Sequence, residues 1–225
     1  MNITVHYTGS AGNLIQAGNI LIDPGVPIKK IKDALHYRLR DVRFCLLSHS
    51  HADHSKGAKD LMKAGVDIYC SKESADNLKL SSHRLHIIEP GSQINIGPWQ
   101  IIPFELVHDV SNLGFFIGNG KDRILYATDT NYIHPRFKNL THILLGIDYD
   151  AEILKENIIN SVIDPALGKR ILKNHMSLKT AIEFFKANDL SRVQGIYIIH
   201  LSNTNSNAEM FRQEIQKVTG KPVYV

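Results

Sequence analysis

An apolar run, Phe44-Cys45-Leu46-Leu47, gives way after Ser48 to His49-Ser50-His51-Ala52-Asp53-His54, three histidines and an aspartate within six residues. Imidazole and carboxylate together are ligands for divalent cations; this set suits zinc, with manganese or iron as alternatives. Side chains of an extended segment alternate with period two, so His49 and His51 face one side and can grip one cation. Asp53 and His54 fall after the turn, near the start of the next helix, and can serve a second. The bland alternative is a histidine-rich surface loop. Placement directly after a buried strand, where α/β proteins put their sites, favours the metal.

These side chains need elements to hold them. Residues 2–8 alternate like a strand, 13–16 and 19–23 are short apolar runs split by Gly18, and Asp23-Pro24-Gly25 is a turn. A helical pattern covers 27–39, with Ile28, Ile31, Leu35 and Leu39 on one face. The run 44–47 reads as a fully buried strand. A helix over 55–64 ends at Gly65, a strand follows over 66–70, and a helix over 71–79. Residues 87–128 form a series of strands punctuated by Gly91, Gly97-Pro98, Gly118 and Gly120. Then come strand 141–147, helices 150–160 and 177–188, strand 194–199, helix 207–217 and strand 222–225. A strand-rich half followed by a mixed half implies an α/β (α+β) fold of sheets covered by helices. No low-complexity linker interrupts the 225 residues, so a single domain over 1–225 is the economical expectation.

Composition narrows the function classes. Hydrophobic residues at 43% and charged residues at 21% are ordinary for a soluble globular chain. The 26 basic and 22 acidic residues leave a formal charge of +4, scattered rather than gathered in a run. That suits an anionic substrate and shows no basic arm for a polynucleotide. Two cysteines, Cys45 and Cys70, make no disulfide framework and fit a reducing compartment. No secretion signal and no membrane-length apolar stretch are visible, so the expected location is cytoplasmic.

The run His49–His54 resembles the HxHxDH signature of the metallo-β-lactamase superfamily, and the resemblance extends over nearly the whole chain. Thr8-Gly9-Ser10-Ala11-Gly12-Asn13 and Leu21-Ile22-Asp23-Pro24-Gly25 are similar to the family's first strand pair, with Ser10 and Asp23 shaping the floor of the site. The resemblance assigns the third histidine to His108, in Leu106-Val107-His108-Asp109. It places the bridging aspartate at Asp129, in Tyr126-Ala127-Thr128-Asp129-Thr130, and the last ligand at His200. It implies the αββα four-layer sandwich and two divalent ions, zinc first and manganese second. His49, His51 and His108 would hold one ion, Asp53, His54 and His200 the other, with Asp129 bridging. The pattern Asn174-His175-Met176-Ser177 resembles motifs of the RNase Z and YycJ-type branches, in the former of which the histidine opens a helix beside the metals; His175 and Asp148 are the expected catalytic pair, with Asp53 counted beside them. His6, His36, His83, His86, His134 and His142 carry no motif.

Within the superfamily, the short chain lacks the C-terminal helical domain of thioesterases, the inserted domain of β-CASP nucleases and the tRNA-binding arm of RNase Z. The remaining small phosphodiesterase group offers two readings. The first expectation is a phage anti-Pycsar-like enzyme that opens 3′,5′-cyclic nucleotide monophosphates to 5′-monophosphates, acting as a homodimer in the host cytosol. The alternative is a YycJ-type DNA exonuclease, with nucleic acid as partner only in that case. A third class, a metal-binding scaffold without catalysis, sits poorly with an intact ligand set.

Overall fold

The computed structural model describes residues 1–225, which divide into two compact units, residues 1–92 with 110–113 and residues 93–109 with 114–225. The first carries one sheet of six strands in sequence order: β1 (Ile3–Tyr7), β2 (Leu14–Ala17), β3 (Ile20–Ile22), β4 (Phe44–Leu46), β5 (Asp67–Cys70) and β6 (Leu85–Ile87). β1 to β3 pair antiparallel, as short turns permit. β3 to β6 pair parallel, because α1 (Ile28–Ala34), α2 (Ala52–Ser55), α3 (Ala58–Lys63) and α4 (Lys72–Asn77) supply the crossovers. Leu14, Leu21, Cys45, Leu47 and Ile68 pack with Ile31 of α1 and Leu61 of α3 into this unit's core, all fully buried. Burial of each such aliphatic side chain stabilises by about 1.5–3 kcal/mol. Both cysteines are buried here, and desolvation pushes the Cys70 thiol up to about 12, so they act as core residues.

The second unit holds a seven-stranded sheet built from β7 (Ile94–Ile96), β8 (Trp99–Leu106), β9 (Asn112–Gly118), β10 (Arg123–Ala127), β11 (His142–Gly146), β12 (Gly195–Ile199) and β13 (Val223–Tyr224), again in sequence order across the sheet. β10 to β13 are parallel. Every residue of β11 is buried, which is why it reads as a continuous apolar run rather than an alternation. The unit's helices are α5 (Ala151–Ile159), α6 (Pro165–Asn174), α7 (Leu178–Ala187) and α8 (Ala208–Thr219). Leu178, Ala181, Phe184 and Phe185 of α7 and Phe211 and Ile215 of α8 pack with Leu125, Ile143, Leu145, Ile196 and Ile198 of the sheet.

The sequence expectations differ from this in three places. The helix expected over 27–39 stops at Ala34, because His36 and Tyr37 take left-handed backbone (φ 49° and 60°) before a short 3-10 turn. The helix expected over 55–64 is two pieces divided at Gly57. There a Cβ would stand 2.6 Å from the Val26 carbonyl oxygen, so only glycine fits. Helix α6 was not expected at all. Its signal was local: Asp164 caps Ala166 N–H at 2.8 Å, and Pro165 occupies the first helical position, where its missing N–H costs nothing.

Candidate metal centre

The first unit presents its candidate ligands from the C-terminal end of β4. Asp23, just past β3, is fully buried and organises them. Its Oδ1 accepts the Ser48 backbone N–H at 2.7 Å, and its Oδ2 accepts the Ser48 hydroxyl at 2.8 Å and the His54 Nδ1–H at 2.7 Å. With the Ser48 hydrogen committed to Asp23, the Nδ1–H of His49 is the donor to Ser48 Oγ at 3.0 Å. One buried carboxylate therefore sets the tautomer of both His49 and His54, leaving their Nε2 atoms as the lone-pair nitrogens. Asn13 Nδ2 donates toward Nε2 of His54 at 3.1 Å. The His49 ring centroid lies 4.7 Å from that of His51 and 4.2 Å from that of His54, and Asp53 Oδ2 is 3.4 Å from His54 Nε2.

The backbone is built for this. Asp53 O accepts from Asn13 N–H at 2.7 Å, and Gly25 N–H donates to Asn13 O at 2.7 Å. A Cβ on Gly25 would stand 1.7 Å from the Asp53 carbonyl oxygen. The turn Asp23-Pro24-Gly25 thus admits the metal motif by having no side chain at its third position. Ser10, expected on the floor, is exposed; Asn13 reaches the motif instead.

The second unit gathers Asp129 after β10, Asp148 after β11, His200 after β12 and His175 between α6 and α7. Their candidate ligand atoms all lie within 4.8 Å of one another. Three of the four thus sit at the C-terminal ends of parallel strands, the site position of open α/β sheets. Asp148 Oδ1 accepts from His200 Nδ1 at 2.9 Å, and His175 Nδ1 stands 2.9 Å from the same oxygen. Asp129 Oδ1 is 3.2 Å from His200 Nδ1 and 3.5 Å from His175 Nδ1. The loops are knitted together: Asp148 N–H donates to Met176 O, Leu178 N–H to Tyr149 O, and Ser202 N–H to Asp148 O. Ser177 caps α7 by accepting the Thr180 N–H at 3.1 Å, which fixes the chain immediately after His175. His108, following β8, has its ring 5.7 Å from that of His175, and its Nε2 lies 3.2 Å from Asp109, itself paired with Arg170.

Three of these polar residues, Asp23, Asp129 and His200, hold left-handed backbone (φ 54°, 49° and 58°). Such conformations cost about 1–3 kcal/mol each for ordinary residues and cluster at functional sites. Electrostatics point the same way. Burial opposes the His175 cation, but the carboxylates of Asp129 and Asp148 outweigh it and raise the imidazole to about 9. Two buried carboxylates held so close call for positive charge. The Oδ2 of Asp148 is buried without a hydrogen bond. A buried carboxylate oxygen without a hydrogen bond, beside histidines and a second carboxylate, belongs to the donor set of a divalent cation, so these residue clusters fit one or two such ions.

The Beta-lactamase superfamily domain matches residues 18–200, a span that begins before Asp23 and ends on His200. The chain belongs to the metallo-β-lactamase superfamily. Three relatives illustrate the membership. Exodeoxyribonuclease YycJ of Bacillus anthracis is 23% identical, the alignment covering 97% of this chain and 89% of that protein. The metallo-β-lactamase fold protein YhfI of Bacillus subtilis superposes with a TM-score of 0.74 at 18% identity, over 99% of this chain and 94% of that one. Zn(2+)-bound PqqB of Methylobacterium extorquens gives 0.72 at 14% identity, over 99% and 97%. The α/β metallo-β-lactamase fold, with two mixed sheets flanked by helices, is thereby shown. Within this superfamily member, sequence reasoning missed Ser48 and Asn13. Ser48 sits inside the motif and could have been found as the hydroxyl between strand and first histidine. Asn13 lies 41 residues from His54 and carried no local signal.

Proposed function

We propose that this chain is a metal-dependent phosphodiester hydrolase acting on DNA from an end. The observation that carries the reading is the alignment with an exodeoxyribonuclease along nearly the full length of both chains. It reverses the order taken from sequence, in which cyclic nucleotides came first and DNA second.

In this reading His49, His51 and His108 would hold one divalent ion and Asp53, His54 and His200 a second, with Asp129 available to both and zinc the first choice. Such ions lower the pKa of water and take up negative charge on a phosphodiester. The chain's own residues do the rest. Asp23 and Ser48 hold the tautomers of His49 and His54, so that Nε2 of each carries the lone pair a cation would need. Asp148 holds His200 through Nδ1 and keeps His175 beside it. His175 is one-fifth exposed, so it can meet a substrate, and it supplies a proton to the departing sugar oxygen, a poor leaving group without one.

The test is product analysis of the metal-loaded protein with end-labelled linear DNA, covalently closed circular DNA and a panel of 3′,5′-cyclic nucleotides. The reading expects linear DNA to shorten progressively while closed circles persist. Linear DNA left intact, with a cyclic nucleotide opened to its 5′-monophosphate, would restore the other order.

A further inference from the structure

Four of the basic residues scattered along the sequence gather in the fold. Lys59 and Lys63, one helical turn apart on α3, line a cavity of about 550 Å³ together with Lys79, Ser82, His83 and Arg84 from the segment between α4 and β6. No carboxylate lines it. Two acids stand nearby. Asp60 pairs with Lys63 at 3.1 Å and Asp67 with Arg84 at 3.0 Å. Both pairs are more than a third exposed on at least one side, so solvent screens them and they hold their cations loosely. Lys59 and Lys79 belong to no such pair here, and both are exposed. Four fixed cations against two flanking carboxylates leave a net positive basin, with the Ser82 hydroxyl and the His83 imidazole as further donors.

We infer that this basin on the first unit is a binding surface for the backbone phosphates of DNA, away from the bond that is cut. The inference rests on the DNA reading above. Three features favour a polynucleotide over a lone small anion. The cations come from two segments some twenty residues apart in sequence, so the basin is broad. Lys59 and Lys63 are separated by about 6 Å along the helix, four residues at about 1.5 Å each, a spacing that serves successive phosphates rather than one. Their lysines are point charges on flexible stems, suited to tracking a backbone and unable to read bases. Gly65, Ser82 and Arg84 lie just before β5 and β6, so the basin sits at the N-terminal ends of these parallel strands, opposite the end of β4 that carries the histidine motif, and would hold a stretch of strand away from the bond that is cut. This also answers the sequence-level objection that no basic track exists: residues 59–63 and 79–84 form one only after folding.

The experiment compares full-length protein with the triple variant Lys59→Ala/Lys63→Ala/Lys79→Ala. All three side chains are exposed, and none belongs to the metal centre. Binding of a fluorescent single-stranded DNA of about 20 nucleotides is followed by anisotropy from about 50 to 200 mM salt, where counterion release makes affinity fall steeply. The variant is expected to bind at least about tenfold more weakly at low salt, with a log–log salt slope shallower by about 2, since each lost phosphate contact is worth about 0.7–0.9. Hydrolysis of a small nitrophenyl phosphodiester should be unchanged, which shows the fold and centre intact. The single variant Lys59→Glu should move in the same direction if the triple variant folds poorly. Equal affinity and slope in parent and variants, or no DNA binding by the parent, overturns the surface. DNA binding that depends on these lysines, with no release of nucleotides from linear DNA, leaves the surface standing and removes the nuclease reading instead.

Discussion

Asp23 Oδ2 accepts the Nδ1–H of His54 at 2.7 Å, and neither side chain has any solvent exposure. A buried carboxylate that holds an imidazole by its far nitrogen aims the near one, and such supporting partners are typically worth about 10–100-fold in metal affinity or activity. Asp23→Asn keeps the shape and tolerates the left-handed backbone at this position. It loses the charge and, with an amide NH2 in place of Oδ2, the acceptor for the Ser48 hydroxyl and the His54 Nδ1–H. We expect metal affinity, measured by competition with a chelating dye, to fall by about 10–100-fold while circular dichroism stays native. Unchanged affinity would mean that His54 is aimed by Asn13 alone.

Gly25 and Gly65 separate close approach from backbone strain. Alanine at Gly25 would place Cβ 1.7 Å from the Asp53 carbonyl oxygen, whereas Gly65, at φ 98°, has open space around it. Gly25→Ala should therefore cost the larger amount, at least about 2 kcal/mol, and weaken metal binding, because the displaced backbone carries Asp53. Gly65→Ala should cost about 1 kcal/mol from conformation alone and leave metal binding untouched. Thermal melts and metal titrations of the two variants decide it; equal effects would deny that the turn is built around Asp53.

His175 Nδ1 stands 2.9 Å from Asp148 Oδ1, and the carboxylates of Asp129 and Asp148 favour its protonated form, as a proton donor requires. His175→Ala should lower turnover of a DNA substrate by about 10²–10⁴-fold, the usual contribution of a general acid. The loss should shrink for a nitrophenyl phosphodiester, whose leaving group needs no proton. Equal losses on both substrates would make His175 a structural or binding residue.

Much of this was legible in the sequence because it is written locally. The alternation of His49 and His51, the apolar run of β4 and the strand ends before Asp129 and His200 are short-range signals, and the structure gathers these side chains into clusters that could hold a metal. Helix α6 was missed although Asp164-Pro165 announces its start. Its apolar side chains Leu167 and Leu172 are exposed, so the usual buried stripe is blurred. The role of Asn13 and the basin at Lys59, Lys63 and Lys79 were invisible for a different reason. Both depend on residues brought together across tens of positions, and no local pattern encodes that distance.

The central claim is that bound divalent metal makes these clusters a hydrolase. Its most direct test is turnover of linear DNA by metal-stripped protein as zinc or manganese is added back, with bound metal measured in the same samples by elemental analysis. The account predicts no turnover without metal, a rise with each equivalent bound, and a plateau at about two per chain. Full turnover in strong chelator, with bound metal near zero, would contradict it.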